Sequence, residues 1–484
     1  MASDAVVQDV QDAHGERTHL SPEARRAQGK AARARVPREA HAELSPAAGR
    51  DPVGLLIEQE RARVPELAPI RHGRMLVSPF TFYRGAALIM ATDLAATPSP
   101  GLRTQLCGDA HLANFGAYAS PERRLVFDIN DFDETLPGPF EWDVKRLTTS
   151  FVVAGRDNGF SPKQCRKLAL AVVGTYRRTM RTFARQTILD VWYAHLDIED
   201  LLKEFELSLS PKKLKRGAAD LAAAQHQVAK AHTRTSLQAV AKLTTVANGR
   251  RQIVSDAPLI VPVDELTDLD TAAVLRTIQG LLATYRATLR SDRRVLLDHF
   301  SLTDVAHKVV GVGSVGLRAW VLLFESGLGA DTLVLQAKQA EASVLAAYAG
   351  ASEYANHAER VVAGQHLMQA SSDIFLGWLA ASPAEGWTDD YYLRQLRDWK
   401  ASADLEAMGL RSFDVYARLC GWTLARAHAR GGDRIVLAGY LGGSDAFDHA
   451  VVDFAEAYAD LNEHDHAALA EAVATGQVQA ETDV

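Results

Sequence analysis

Between residues 79 and 96 the residues Tyr83, Ala86, Ala87, Met90 and Leu94 recur at helical intervals. Ser78-Pro79 ahead of them supplies an N-cap and a proline at the first helical position, so a helix over about 79–96 is expected. The rhythm then shortens. QLCGDAH is followed by NFGAYA and RLVFDI, two strand-like pieces joined by a turn at SPER, and then by NDFDETLPGPFEWD. Helical spacing returns at WDVKRLTTSFVVAGR and holds through most of 162–300, with one candidate strand at RQIVSDAPLIVPV. From about 305, HKVVGVGSVGLRAWVLLFE reads as strand, glycine turn and strand, and TLVLQAK as another strand after a turn at SGLGAD. A helix is expected over 352–369, strands at DIFLGWLA and DYYLRQLRDW, and helix thereafter. The pattern predicts an α+β fold, mostly helical with a small antiparallel sheet. It divides into a flexible charged segment (1–50), a helical portion (51–300), a strand-rich portion (301–400) and a helical return (401–484). The first segment carries the basic run RRAQGKAARARVPREAH and few large apolar residues, so it reads as a solvated helix or tail, with order beginning near DPVGLLIEQE.

Composition changes this picture little. With 484 residues and 47% hydrophobic content the chain can bury a large core, and its length fits about three domains. A net charge of −7 gives no electrostatic reason to expect a nucleic-acid partner. Cys107, Cys165 and Cys420 lie far apart without a CxxC pair, which argues against a disulfide framework or a cysteine zinc site and fits a reducing cytosol. MASDAVVQDVQDAHGERTHL lacks the apolar core of a secretory signal, and no run approaches the roughly 18 apolar residues that span a bilayer. The expectation is a cytoplasmic protein without membrane partners.

The chemistry concentrates in LCGDAHLANFGAYASPERRLVFDINDFDET, residues 106–135, where acids crowd onto strands built for burial. Buried, unpaired carboxylates are costly, so a metal or a basic side chain belongs among them. Asp109 and Asn114 have the D-x-x-x-x-N spacing of a kinase catalytic loop, in which the Asp orients or takes the substrate proton and the Asn holds metal. By strand alternation Asp131 shares a face with Phe127 and Ile129, while Asp128 points the other way. Asp131 is therefore the expected ligand for Mg²⁺, with Asp133 second and Asp128 in reserve. His111 has two readings, a metal ligand or, preferred for a lone loop histidine, a ring that orients its neighbours by hydrogen bonds; Arg74 and Arg84 are candidate phosphate clamps, with Arg84 equally suited to pair with an acid on a neighbouring helix.

Further along, GVGSVG (311–316) has the GxGxxG spacing, but a strand follows it rather than the helix a dinucleotide fold needs, and no GK[ST] is present. Two readings remain: a tight hairpin that needs glycine for positive φ, or a glycine hairpin laid over ATP phosphates. In the second, Gly311, Gly313, Ser314 and Gly316 cradle the nucleotide. Lys338 ends an apolar strand, where an ammonium must find an anion. In the kinase arrangement it contacts phosphates and pairs with a helix glutamate, and Glu359 is preferred over Glu353 and Glu341.

CGDAHLANF resembles the HGDxHxxN loop of aminoglycoside phosphotransferases and related small-molecule kinases, with Cys107 in place of their histidine. DFDETLPGPFEWDVKRL resembles their metal-binding segment, DFEDxxxGxPxxDLA, as far as Asp143, which by that comparison braces the catalytic loop. From about residue 33 the chain also looks like a bacterial family known only as a domain of unknown function, which shares GDAHxxNFG, NDFDETLPGP and LARAHARxGD. Gln339 departs from that family, where an acid is expected. The loop and metal Asp precede the glycine hairpin and lysine, the reverse of the usual kinase order, so the resemblance implies a circularly permuted two-lobe kinase-like fold. CGWTLARAHAR resembles the helix that leads into the kinase loop, and the helix at 79–96 could fill the same slot. The function implied is ATP- and Mg²⁺-dependent transfer to a hydroxyl of a small molecule or a protein. The alternatives are a metal-dependent phosphoesterase, because GDAH resembles its GDxH opening, and a non-catalytic nucleotide-binding scaffold.

Overall fold

The computed structural model describes residues 20–482 apart from 62, 209–224, 227, 230–239, 242, 248–249, 266–270, 310–314, 328–330, 380–388 and 397–402. Within them the fold is α+β, and the largest sheet is antiparallel with six strands. Their order is Gly377–Trp378, Asp390–Gln395, Thr332–Ala340, Ala319–Ser326, Phe300–Lys308 and Ile260–Pro262. Thr332–Ala340 is buried at every position, its polar residues Gln336, Lys338 and Gln339 included. Within it Lys338 stands opposite Ala319 on one neighbour and Tyr392 on the other.

The sheet draws its last strand, Ile260–Pro262, from the portion expected to be helical. The candidate strand RQIVSDAPLIVPV is in fact two: Arg250–Ile253 pairs with Thr244–Ala247, and Ile260–Pro262 joins the large sheet. Of DIFLGWLA only Gly377–Trp378 is strand.

The helix Phe140–Asp157 is buried along nearly its whole length, between Pro162–Phe183, Leu410–Gly431 and Ala446–Ala474. Phe140, Leu147, Phe151, Val172, Tyr176, Leu424 and Phe447 form the centre of this core. Burying side chains of this size stabilises the fold by about 1.5–3 kcal/mol each. At Gly421 any Cβ would strike the Val172 carbonyl, so the Leu410–Gly431 helix approaches its neighbour this closely only with glycine there.

Two small antiparallel sheets pack on the helix Leu410–Gly431: Arg103–Leu106 with Leu136–Pro139, and Phe115–Ala119 with Leu125–Ile129, which also pairs with Leu196–Asp197. The second is the expected hairpin. Its turn holds Arg123 at φ 62°.

Two expectations fail for identifiable reasons. The helix expected over 79–96 is two helices, Pro79–Gly85 and Ala87–Ala95, because Arg71 Nη2 takes the Gly85 carbonyl (3.0 Å) that would otherwise continue the ladder. The segment expected to be flexible contains the helix Pro22–Arg35, capped by Ser21 and packed on Arg434–Leu441. Its contact face is small, with Gly29 against Val436 and Ala32 buried. Arg33 Nε donates to the Tyr440 carbonyl (2.8 Å) and Arg38 Nη1 to that of Leu441 (2.9 Å), so the basic residues cap the carbonyl end of the partner helix.

Candidate active site

The loop after Arg103–Leu106 is fastened from below by one carboxylate. Asp143, in the first turn of Phe140–Asp157, accepts hydrogen bonds from Cys107 N (2.8 Å) and Gly108 N (3.1 Å). His428 Nε2 lies 3.1 Å from the same carboxylate, and its Nδ1 meets the Tyr176 hydroxyl at 2.9 Å. Asp143 thus braces the loop from the position the sequence motif indicated. Gly108 sits at φ +87°, where any Cβ would strike the Glu134 carbonyl, so only glycine fits.

His428 also answers which helix supports the loop. Thr104 Oγ1 donates to the His428 carbonyl (3.1 Å), and Gly431 packs on Gln105, so Leu410–Gly431 lies against the strand that leads into the loop. The helix Pro79–Gly85 reaches the same loop indirectly, through Arg146.

Arg146 is one turn beyond Asp143 on the same helix. Its Nε donates to Asp109 Oδ1 at 2.5 Å and its Nη2 to the Tyr83 carbonyl at 3.0 Å, and its guanidinium lies 4.5 Å over the Tyr83 ring. Burial raises Asp109 above the ordinary carboxylate range, although Arg146 and Arg84 pull it down. Asp109 Oδ2 faces His111 Nε2 at 3.5 Å. Burial, together with Arg84 and Arg146, drives His111 well below its usual pKa, so a neutral ring stands beside the carboxylate, and its buried Nδ1 has no hydrogen-bond partner. Asn114 Nδ2 donates to the Asp109 carbonyl (2.8 Å), and the Asn114 carbonyl accepts Asn130 N (2.8 Å), which ties the loop to the acidic segment.

In that segment the sheet meets the helical body. Lys338 Nζ donates to Asp133 Oδ2 and lies 4.0 Å from Asp131 Oδ2, while the Tyr392 hydroxyl donates to Asp133 Oδ1 (2.7 Å). Burial opposes charge on Asp133, but Lys338 and Tyr392 outweigh it and hold the carboxyl below its usual range. Asp131 moves the other way, raised by burial and by Asp133. Burial also works against the Lys338 ammonium, yet Asp131 and Asp133 hold its pKa above the usual lysine value.

Two of the expected site residues have other surroundings than expected. Asp133, expected as a second metal ligand, has both oxygens engaged by protein. Asp131 has its side chain 32% exposed and is the carboxylate still open to a ligand. Glu359, expected to pair with Lys338, does not: Lys338 takes Asp133 instead. On the helix His357–Met368 the residue turned inward is Arg360, which donates to the carbonyls of Thr135 (2.6 Å), Asp133 (2.8 Å) and Glu341 (2.9 Å). Adjacent helical residues diverge by about 100°, so Arg360 and Glu359 do not share that face.

Asp128 is withdrawn altogether; the strand ends at Ile129, so the expected alternation does not extend to Asp131. Asp128 pairs with Arg426 and accepts Ala370 N (2.8 Å), both side chains being only 1% exposed. Gly311, Gly313 and Ser314 lie outside the described residues. Gly316 adopts φ +92° against Arg63, and its carbonyl accepts Val64 N (2.8 Å).

Residues 63–472 match the family described as uncharacterized proteins conserved in bacteria (DUF2252). The chain belongs to that family. No curated protein and no solved structure matches it. The match begins well after residue 33, where the resemblance was first placed, and it takes in the loop, the acidic segment, Lys338 and His428 of this DUF2252 protein.

The donors fit a hard cation that keeps other ligands. Among the described residues no three His, Cys, Asp or Glu side chains gather as a metal cage. Asp131 and the Asn114 side-chain oxygen are oxygen donors of the kind that Mg²⁺ accepts. Arg146, Tyr392 and Arg360 escaped the sequence reading. Arg146 had a signal, its i+3 spacing from Asp143. Among the described residues no helix is long and apolar enough to cross a membrane.

Proposed function

We propose that this DUF2252 protein is an ATP- and Mg²⁺-dependent phosphotransferase with a circularly permuted kinase-like architecture, acting on a hydroxyl of a small molecule or a protein. The observation that carries this reading is the meeting of Lys338, from the buried strand Thr332–Ala340, with the Asp131–Asp133 pair beside the Asp109–Asn114 loop. A kinase needs a lysine for phosphates, an oxygen donor for metal and a carboxylate at the acceptor, converging from separate elements. The six-stranded sheet then corresponds to the nucleotide-covering lobe and the helical body to the catalytic lobe.

Asp109 acts at the acceptor. Arg146 fixes one of its oxygens, which leaves Oδ2 to orient the hydroxyl and receive its proton. Its raised pKa makes it a better proton acceptor than an exposed aspartate. Asp143 and His428 hold the loop that carries it. Lys338 leaves Asp133 partly or wholly for the nucleotide phosphates, and Asp131 with Asn114 would hold Mg²⁺. Its charge would offset that of the nucleotide phosphates there. Most of the rate gain then comes from positioning and charge stabilisation.

The test is conversion of MgATP in the presence of hydroxyl acceptors, followed by nucleotide chromatography and acceptor mass. Production of ADP with a phosphate added to the acceptor, lost in Asp109→Asn, is the expected result. Addition of AMP would make the same site an adenylyl transferase. Hydrolysis of a simple phosphodiester with Mn²⁺ and no ATP would replace the proposal with the phosphoesterase reading.

A further inference from the structure

The cations around Asp109 are committed to protein partners, with one exception. Lys338 is taken by Asp133, Arg146 by Asp109, Arg394 by the Asn130 carbonyl (3.2 Å), and Arg360 by three carbonyls. Among the described residues Arg84 has no such bond, and its Nε is buried without a hydrogen-bond partner. The two carboxylates that act on it are Asp109 and Asp131, the acceptor-side and metal-side acids.

Its backbone is fixed on both sides. Tyr83 is joined twice to Arg146, through Tyr83 O to Nη2 (3.0 Å) and through its hydroxyl to the Arg146 carbonyl (2.8 Å). The Gly85 carbonyl is held by Arg71 (3.0 Å). The break after Gly85 therefore sets Arg84 at a defined place relative to the residue that grips Asp109. The rest of the side chain is only partly buried, so its guanidinium keeps donors that an arriving anion can take.

We propose that Arg84 is a catalytic residue that contacts the phosphoryl group in transit, an arginine finger supplied by the chain itself. The proposal rests on the phosphotransferase reading. In the step, a bond forms between the acceptor oxygen and the γ-phosphorus while the bond from that phosphorus to the β–γ bridging oxygen breaks. The bridging electrons leave with ADP, and the acceptor proton passes to Asp109. Negative charge spreads over the equatorial oxygens between Asp109 and Asp131, and a forked, permanently charged guanidinium matches it better than an ammonium.

The experiment needs no knowledge of the acceptor. Isothermal titration measures MgADP binding with and without aluminium fluoride, a mimic of the phosphoryl group in transit, for wild type, Arg84→Ala, Arg84→Gln and Arg84→Lys. Wild type should bind the fluoride complex more tightly than MgADP alone. Arg84→Ala and Arg84→Gln should lose about 10²–10³-fold of that gain with MgADP affinity unchanged, and Arg84→Lys should retain part of it. Retention of the whole gain in Arg84→Ala overturns the role of Arg84 while the phosphotransferase reading stands. Equal weakening of MgADP alone would make Arg84 a ground-state or structural residue and also overturns it. If wild type binds MgADP neither alone nor with aluminium fluoride, the functional reading falls first and this inference with it.

Discussion

Asp128 and Asp133 stand on one short segment, and each is paired with a cation from a distant part of the chain. The Asp128–Arg426 pair is sealed, each side chain being 1% exposed, with Ala370 N and Ile129 N completing the carboxylate. The Lys338 pair is open on its acid side: Asp133 is 19% exposed, and Asp131 beside it 32%. The sealed pair can only fasten. It pins the helix Leu410–Gly431 and the chain after His357–Met368 to the hairpin that carries the acids. The open pair can exchange its partner for a ligand. Ion pairing alone therefore does not mark a site; access does.

The largest expected difference is in chemistry. Asp109→Asn should lower transfer by about 10²–10⁴-fold and leave stabilisation by MgATP unchanged, as read by initial rates and thermal unfolding side by side. Equal turnover in the two proteins would remove Asp109 as base.

Next comes the contrast itself. Arg426→Ala leaves a buried carboxylate unpaired and should cost about 3–5 kcal/mol of unfolding free energy, by the same amount with and without nucleotide. Lys338→Ala should cost less, because Asp133 keeps Tyr392 and some solvent, but it should abolish the response to MgATP. Denaturant midpoints that rank the two variants the other way would show that the open pair is a fastener too.

A smaller effect is expected at the brace. Asp143→Asn disturbs the bonds to Cys107 N, Gly108 N and His428, for a loss of about 1–3 kcal/mol. Turnover should fall with it, since the loop that carries Asp109 loosens. A variant of full stability and full activity would mean the brace is redundant.

The smallest effect comes from a buried acid that neither fastens nor faces the site. Burial raises Glu141 to a pKa of about 7 from an ordinary 4.5, although Ser99 and Lys145 oppose this. Its folded pKa lies above the unfolded one, so its contribution is complete below about 4.5 and declines as pH climbs to about 7. Glu141→Gln should flatten the stability profile over that interval by a few degrees of midpoint. An unchanged slope would place the titration elsewhere.

Much of the site was legible because its signals are local. The D-x-x-x-x-N spacing picked out Asp109 and Asn114, which one loop brings together, and the motif spacing reached Asp143, which holds that loop; strand alternation stops at Ile129, short of Asp131. What was not legible depends on docking. Lys338 and Asp133 are 205 residues apart, and nothing in either neighbourhood states that the sheet will meet the acids before a helix glutamate does. The docking of the helix Pro22–Arg35 was not legible because it packs through Gly29 and Ala32, residues that give no apolar stripe. The split at Gly85 depends on Arg71, whose reach to that carbonyl is a tertiary fact.

The central claim is that the open acid–lysine cluster receives a nucleotide with Mg²⁺. Thermal unfolding with and without MgATP tests it most directly. At about 100 times Kd a ligand adds roughly 2.7 kcal/mol to the native state, enough to raise the midpoint by a few degrees. The account predicts such a rise in wild type and in Arg84→Ala, dependent on Mg²⁺ and lost in Lys338→Ala and Asp131→Asn. No shift with ATP or GTP under any divalent metal, or an equal shift in all four proteins, would contradict it.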